Sequence, residues 1–319
     1  MSGLRERLRG AAALVVLGPT ATGKSALAVE LALRFDGEIV NLDSRQVYRH
    51  MQIGTAKPTP ADRAAVVHHG LDLVDPDETW TLAQHQELAY EEVAAIHAAG
   101  RLPIVVAGTG LYLRAVLEGW TPPAVAPHPA LRSRLYAEAE RDGSARLHSR
   151  LAALDPVAAA GIMPTDRRRT IRALEVIEAT GRPFSEQQRA EPPGLRTLHV
   201  GLTMERAELY ARADARAESM LSAGLLGEIE ALLARDYGWE LASMRSIGYG
   251  EFAPYFEGSA VLEACVERLK LNTHKFIRGQ YVWFRRYEGV RWLDASDGDT
   301  RDEAARIVEE WTASIAAGR

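Results

Sequence analysis

Near its start the chain alternates short apolar runs with longer amphipathic stretches. Leu14 to Leu17 is apolar without interruption and predicts a strand. Gly18 to Gly23 then predicts a turn, and the Ala/Leu-rich stretch from Lys24 to Phe35 a helix. Glu38 to Leu42 predicts a second strand ending at Asp43, and HHGLDLVD (His68 to Asp75) a further short one. Thr81 to Ala99 has helical spacing, and LPIVVAG (Leu102 to Gly108) is an apolar run with no polar alternation, the pattern of a strand covered on both faces. Strands that alternate with helices in this way predict an α/β fold: a parallel, doubly wound sheet with helices on both faces and a ligand at the carboxyl ends of the strands.

The pattern then changes. TPPAVAPHP (Thr121 to Pro129) carries four prolines in nine residues, Ala130 to Gln188 has helical spacing with no clear strand, and EPPG (Glu191 to Gly194) closes the stretch. TLHVGLTM returns to strand character, and from Glu205 the spacing is helical almost to the end, the tail beyond Trp292 included. The expected organisation is a first part of the α/β core over residues 1–120, a helical insertion domain over 121–195, and core completion with carboxyl-terminal helices over 196–319.

Composition narrows the class. The 319 residues are 47% hydrophobic and 25% charged, ordinary for a soluble globular chain. The lone cysteine, Cys265, excludes an intramolecular disulfide and a cysteine zinc site, which favours a cytoplasmic setting. No apolar run approaches the ~20 residues that span a bilayer, so no membrane partner is expected. Basic MSGLRERLRG followed by AAALVVLG has the outline of a secretory signal, but cleavage there would destroy the motif that follows, and the apolar stretch is read as the first strand. The net charge of −5 argues mildly against a nucleic-acid partner; the basic clusters RRRTIR (Arg167 to Arg172) and FIRGQYVWFRR (Phe276 to Arg286) argue for one.

GPTATGKS (Gly18 to Ser25) fits G-x-x-x-x-G-K-[ST] between a strand and a helix. Backbone N–H groups over Gly18, Thr20, Ala21, Thr22 and Gly23 would curl around phosphate oxygens, Lys24 would add a point charge, and the Ser25 hydroxyl could ligate Mg²⁺. Asp43 stands at the end of the second strand, where it faces the same crevice or caps the next helix; Ser44, Arg45 and Gln46 could hydrogen-bond a base or sugar edge. AGTGLY (Ala107 to Tyr112) leaves room beside Thr109 for a ligand, or is a plain strand-to-helix turn. Arg212 and Arg216, four apart on a helix, could clamp a diphosphate or belong to a solvated face. His68 and His69 point to opposite sides of a strand and have structural roles, Trp283 and Phe284 are read as core, and Arg285 and Arg286 as surface. LPIVV ends without the acidic residue by which many NTPases hold magnesium, and no N-K-x-D guanine-reading motif is present.

GPTATGKSALA, DSRQVYRHMQIGTAKP, AGTGLY, LDPVAAAGIMPTDRRRTIRALEV, RAESMLSAGL, SIGYGE and FIRGQYVWFRR follow one another as in bacterial-type tRNA dimethylallyltransferases. The chain resembles that family over roughly Val16 to Arg285. It departs at Ala107, at IMPTD, at SIGYGE, and at His274 and Gly279, where the family usually has other residues. The resemblance implies a P-loop NTPase-like fold used for a different end: transfer of a dimethylallyl group from dimethylallyl diphosphate to N6 of the adenine at tRNA position 37, with release of diphosphate. It implies Asp43 as the base, with Lys24 and Arg216 as catalytic cations. Diphosphate would rest on Gly18, Thr20, Ala21, Thr22, Gly23, Lys24, Ser25 and Arg212, with Mg²⁺ on Ser25. The tRNA anticodon stem-loop would meet Asp43, Ser44, Arg45, Gln46, Thr109, Arg167 and Arg168, and the protein is expected to be a monomer. The alternatives are a P-loop small-molecule kinase, a nucleotide-switched RNA-binding protein, and prenylation of free AMP or ADP.

Overall fold

The computed structural model describes residues 2–317 of the chain. Two compact units emerge, one formed by Met1–Leu117 with Pro193–Arg319, the other by Glu118–Pro192.

In the first unit a helix α1 (Ser2–Leu8) precedes strand β1 (Ala12–Leu17), followed by α2 (Lys24–Arg34), β2 (Gly37–Leu42), α3 (Pro60–Ala65), β3 (His68–His69), α4 (Leu82–Ala98), β4 (Leu102–Ala107) and α5 (Gly110–Glu118). In the second unit, β5 (Trp120–Thr121) leads to α6 (Pro129–Asp142), α7 (Ser144–Leu154), α8 (Pro156–Ala160), α9 (Arg167–Thr180) and β6 (Arg189–Ala190). The first unit resumes with β7 (Arg196–Thr203), α10 (Arg206–Ser222), α11 (Leu225–Leu233), α12 (Ala253–Phe256), α13 (Leu262–Phe284), β8 (Arg291–Asp294) and α14 (Thr300–Ala317).

The sheet of the first unit is parallel throughout, in the order β3-β2-β4-β1-β7-β8. β1 lies between β4 and β7, so both of its edges are paired, and with a packed layer on each face every residue of AALVVL is buried. Its alternate side chains feed different layers. Leu14 and Val16 pack with Leu27, Leu31, Ile104 and Val308 on one face; Val15 and Leu17 pack with Tyr90, Val93, Leu113 and Phe284 on the other. The chain crosses from β1 outward to β2, returns to β4 beside β1, and later continues past the far side of β1 with β7. This reversal opens a crevice above the carboxyl ends of β1 and β4, the standard ligand position in such sheets.

Two elements depart from the pattern read along the chain. The strand expected over His68 to Asp75 is regular only at His68–His69, because Gly70 (φ 81°) and then Asp72 (φ 53°) turn into the left-handed region. Its last residues instead hydrogen-bond to Gln46 and Val47, with a bridge between Tyr48 and Val74. The stretch around Trp292, expected to be part of a helical tail, contains β8, which pairs with β7 at Gly201↔Trp292. Four mostly exposed residues at a sheet edge carry no apolar run to announce them.

The second unit is a helical cluster around Leu135, Leu147, Leu151, Ile171 and Leu174, with its two ends tied by the antiparallel pair Trp120↔Ala190. Inside it the fully buried Glu175 carboxylate accepts both Nε and Nη2 of Arg132 at 2.8 Å, Arg172 at 2.5 Å and the His128 N–H at 2.7 Å. Burial alone would raise its pKa, but these donors hold it at about 2.

Candidate active site

A cavity of about 410 Å³ opens within the first unit at the crevice. Its walls come from seven places in the sequence: the phosphate loop (Thr20, Ala21, Lys24, Ser25), the segment after β2 (Asp43 to Gln46), the loop carrying Gly54 to Ala56, the exit of β4 (Gly108, Thr109), α10, α13 and the 245–248 loop.

The loop after β1 turns sharply. Gly18 has φ 151°, and a Cβ there would sit 2.6 Å from the Leu202 carbonyl oxygen; Ala21 follows in the left-handed region at φ 68°. The Thr22 hydroxyl donates to the Pro19 carbonyl at 2.8 Å and is buried. Gly18, Thr22 and Gly23 therefore shape the loop but do not line the cavity, while Thr20, Ala21, Lys24 and Ser25 do. Behind them α2 starts, and the first N–H groups of a helix have no partner within it.

The Lys24 ammonium donates to the Pro19 carbonyl at 3.2 Å. Burial, with Arg216 nearby, pushes its pKa down to about 8 against the opposing pull of Asp43. Asp43 has two separate jobs. Its Oδ1 accepts the N–H groups of Arg45 (2.7 Å) and Gln46 (3.3 Å), closing a turn; no helix starts here, so the expected alternative of a helix cap does not hold. Its Oδ2 faces the cavity: a methyl placed on Gly108 would stand 3.5 Å from Asp43 Oδ2 and 3.7 Å from Lys24 Nζ. Carboxylate and ammonium thus both flank a residue with no side chain.

On α10 the lining stripe is Ala213, Arg216, Ala217 and Met220, at helical spacing. Arg216 is part of it, its pKa lowered by burial and raised in part by Asp43. Arg212 is not. It lies one turn before Arg216, outside the lining, and its guanidinium pairs with Glu208 at 3.1 Å, so the expected arginine pair is split.

Among the residues expected to meet RNA, Ser44, Arg45, Gln46 and Thr109 line the cavity. Gln46 is already committed: its Nε2 donates to the carbonyls of Thr55 (3.2 Å) and Ala56 (3.1 Å), so the residue braces a loop instead of offering that amide nitrogen to a base. Arg45 donates to the Ala242 carbonyl at 3.1 Å. Arg167 and Arg168 lie in the second unit, at the start of α9. Arg167 rests over the Tyr136 ring, 5.2 Å from its centroid, and Arg168 is exposed. Arg172, from the same basic run, is spent internally on Glu175 and the Val125 carbonyl.

Several site residues carried no individual signal. The Glu228 carboxylate accepts the N–H groups of Gln52, Ile53 and Gly54 and the Tyr249 hydroxyl at 2.7 Å, holding the loop that forms one wall. Leu269, Thr273 and Phe276 of α13 and residues 245–248 complete the enclosure. The strings MQIGTAKP, SIGYGE and FIRGQYVWFRR cover the 52–54 loop, most of 245–248 and Phe276, but no motif covers Glu228, Leu269 or Thr273. Among the described residues no group of three or more His, Cys, Asp or Glu side chains could hold a metal ion. None of the helices is long and apolar enough to cross a membrane, again among the described residues.

Comparison with known proteins agrees with this geometry. The family model described as IPP transferase matches residues 46–287, and one described as isopentenyl transferase matches residues 11–67. The chain is 54% identical to the tRNA dimethylallyltransferase of Roseiflexus sp. (strain RS-1) over 93% of its own length and 98% of that protein. It is 44% identical to the protein of the same name from Thermomicrobium roseum, over 93% and 90%. Among solved structures it is similar to the tRNA isopentenylpyrophosphate transferase of Bacillus halodurans, with 36% identity and TM-score 0.71 over 96% of this chain and 98% of that one. It is also similar to a eukaryotic dimethylallyltransferase acting on tRNA, with 29% identity and TM-score 0.79 over 95% and 80%. With its parallel sheet, its phosphate loop and these matches along nearly its whole length, the chain belongs to the IPP transferase family.

Proposed function

We propose that the chain is a tRNA dimethylallyltransferase. It moves a dimethylallyl group from dimethylallyl diphosphate to N6 of the adenine at position 37 of tRNA, next to the anticodon, and releases diphosphate. The supporting observation is that Asp43 Oδ2 and Lys24 Nζ both flank Gly108, in a cavity lined also by Ala213, Ala217, Met220 and Leu269. Anion-holding groups, a carboxylate and apolar surface are what a prenyl diphosphate and an amine require together.

The chemistry follows from the groups present. An exocyclic adenine amine is a weak nucleophile, because its lone pair is delocalised into the ring. As the N6–carbon bond forms, Asp43 Oδ2 takes the N6 proton, and the electron pair of the breaking carbon–oxygen bond leaves with diphosphate. The Lys24 ammonium, the Arg216 guanidinium and the N-terminal N–H groups of α2 stabilise the charge that builds there. The aliphatic lining keeps water from the allylic carbon while it is electron-poor. The Ser25 hydroxyl on the wall, with diphosphate oxygens and water, makes a hard all-oxygen donor set that suits Mg²⁺, which when bound would supply further charge neutralisation to the leaving group. Such an ion arrives largely on its substrate and needs no carboxylate cage.

The adenine must leave its stack to enter the cavity. Arg45 and Thr109 stand where they would meet the flipped nucleotide, and Arg167 and Arg168 would bind RNA phosphates without reading sequence. In this proposal the protein acts as a monomer in the cytoplasm. The test incubates it with labelled dimethylallyl diphosphate, Mg²⁺ and either unmodified tRNA, AMP or ATP. Label in tRNA is expected; label in AMP alone, or phosphate transfer from ATP without RNA, would replace the proposal.

A further inference from the structure

On the strength of the transfer reaction proposed above, we infer that Gln280 is a positioning residue that clasps the donor cradle to the exit of β4. Gln280 lies on the inner side of α13 and is 3% exposed. Its Oε1 accepts the Thr20 N–H at 2.9 Å, and its Nε2 donates to the Gly108 carbonyl at 2.7 Å. The orientation of the amide is fixed by its partners, since a backbone N–H can only donate and a carbonyl can only accept.

Those two partners are the two loops that the reaction needs in register. Thr20 belongs to the phosphate loop, and Gly108 is the residue flanked by Asp43 and Lys24, one position before Thr109. Because the Thr20 N–H is held by Gln280, it is not offered to a phosphate; the clasp aims the rest of the loop. The same helix is pressed against the same exit one turn later. A Cβ on Gly110 would lie 2.4 Å from Trp283 Cβ, and Phe284 is fully buried under the sheet. α13 also exposes Lys275 and Arg278 to solvent and contributes Thr273 and Phe276 to the cavity wall. Any shift of this helix therefore moves both loops together.

Gln280→Met keeps length and burial but removes both hydrogen bonds. In the full-length protein we expect it to bind inorganic diphosphate about tenfold more weakly or worse. The KM for dimethylallyl diphosphate should rise and kcat fall, with the KM for tRNA and the melting profile close to wild type. Wild-type diphosphate affinity and donor KM in a folded Gln280→Met protein would overturn the assignment. Should that variant not fold, Gln280→Glu carries the test. Its carboxylate can accept from Thr20 but opposes the Gly108 carbonyl, and protonation restores a donor. The gap in diphosphate affinity between this variant and wild type should narrow from about pH 8 to about pH 5.5, and a gap that stays constant would overturn the assignment. If wild-type protein binds diphosphate but leaves tRNA unlabelled, it is the transfer reaction that fails, and the affinity comparison still tests the clasp.

Discussion

At the scale of single residues, Asp43 divides its two oxygens between structure and chemistry, so truncation confounds two effects. Asp43→Ala removes the turn-closing bonds from Arg45 and Gln46 as well as the base. Asp43→Asn can keep an acceptor for those N–H groups and lose only the ability to take a proton. We expect it to lower the single-turnover rate by about 100- to 10,000-fold, with dimethylallyl diphosphate binding largely preserved; an unchanged rate would remove Asp43 as the base. Lys24 permits a second prediction. With a pKa of about 8, it is charged below that pH and neutral above it. An anionic ligand favours the charged form, so affinity for inorganic diphosphate should fall as pH rises through about 8, measured by calorimetric titration, and this dependence should flatten in Lys24→Met. Equal slopes in the two proteins would assign the dependence to another group. Residues of this kind were legible because the phosphate loop is contiguous and Asp43 ends a recognisable strand. Arg212 lies outside the cavity lining, and the sequence could not show this: helical spacing gives a face, but not where along the helix the cavity stops, and Arg212 pairs there with Glu208.

At the scale of elements, the buried strands were the easy part. β1 and β4 are covered on both sides, so their sequences contain nothing but apolar residues and a proline. β8, at the sheet edge, has no such constraint and was hidden inside a stretch with helical spacing. The residues that finish the site were hidden differently. Glu228 and Gln280 act on loops 172 to 260 residues away, and no local pattern encodes a partner so distant. In the helical insertion, the buried Glu175 with Arg132 and Arg172 makes a stability prediction. A folded pKa near 2 against an ordinary 4.5 means that the contribution is present above about pH 4.5 and is lost as pH falls toward 2. Glu175→Gln should destabilise the protein at pH 7 by about 3 kcal/mol, because two guanidinium groups lose their counter-charge. It should also reduce the acid sensitivity of melting over that window. Melting as acid-sensitive as wild type would mean that other carboxylates dominate.

At the scale of the whole molecule, charge is distributed by task. The net −5 is the sum over an ordinary acidic surface, and the basic run at the start of α9 stands out against it. Arg167→Glu with Arg168→Glu, in the full chain, should raise the KM for tRNA and lower the slope of log KM against log salt by about one for each RNA phosphate left without its arginine. Affinity for inorganic diphosphate should not change. If the salt slope stays at its wild-type value, these arginines do not face RNA.

The link from Thr20 to Gln280 spans 260 residues. At roughly 5–20 residues per second of synthesis, the phosphate loop leaves the ribosome about 15–50 s before its clasp. The most recognisable motif of the protein is thus made early and idles, and the nascent chain has no working donor pocket until α13 has been made. A product cut short before α13 carries the signature without the means to use it.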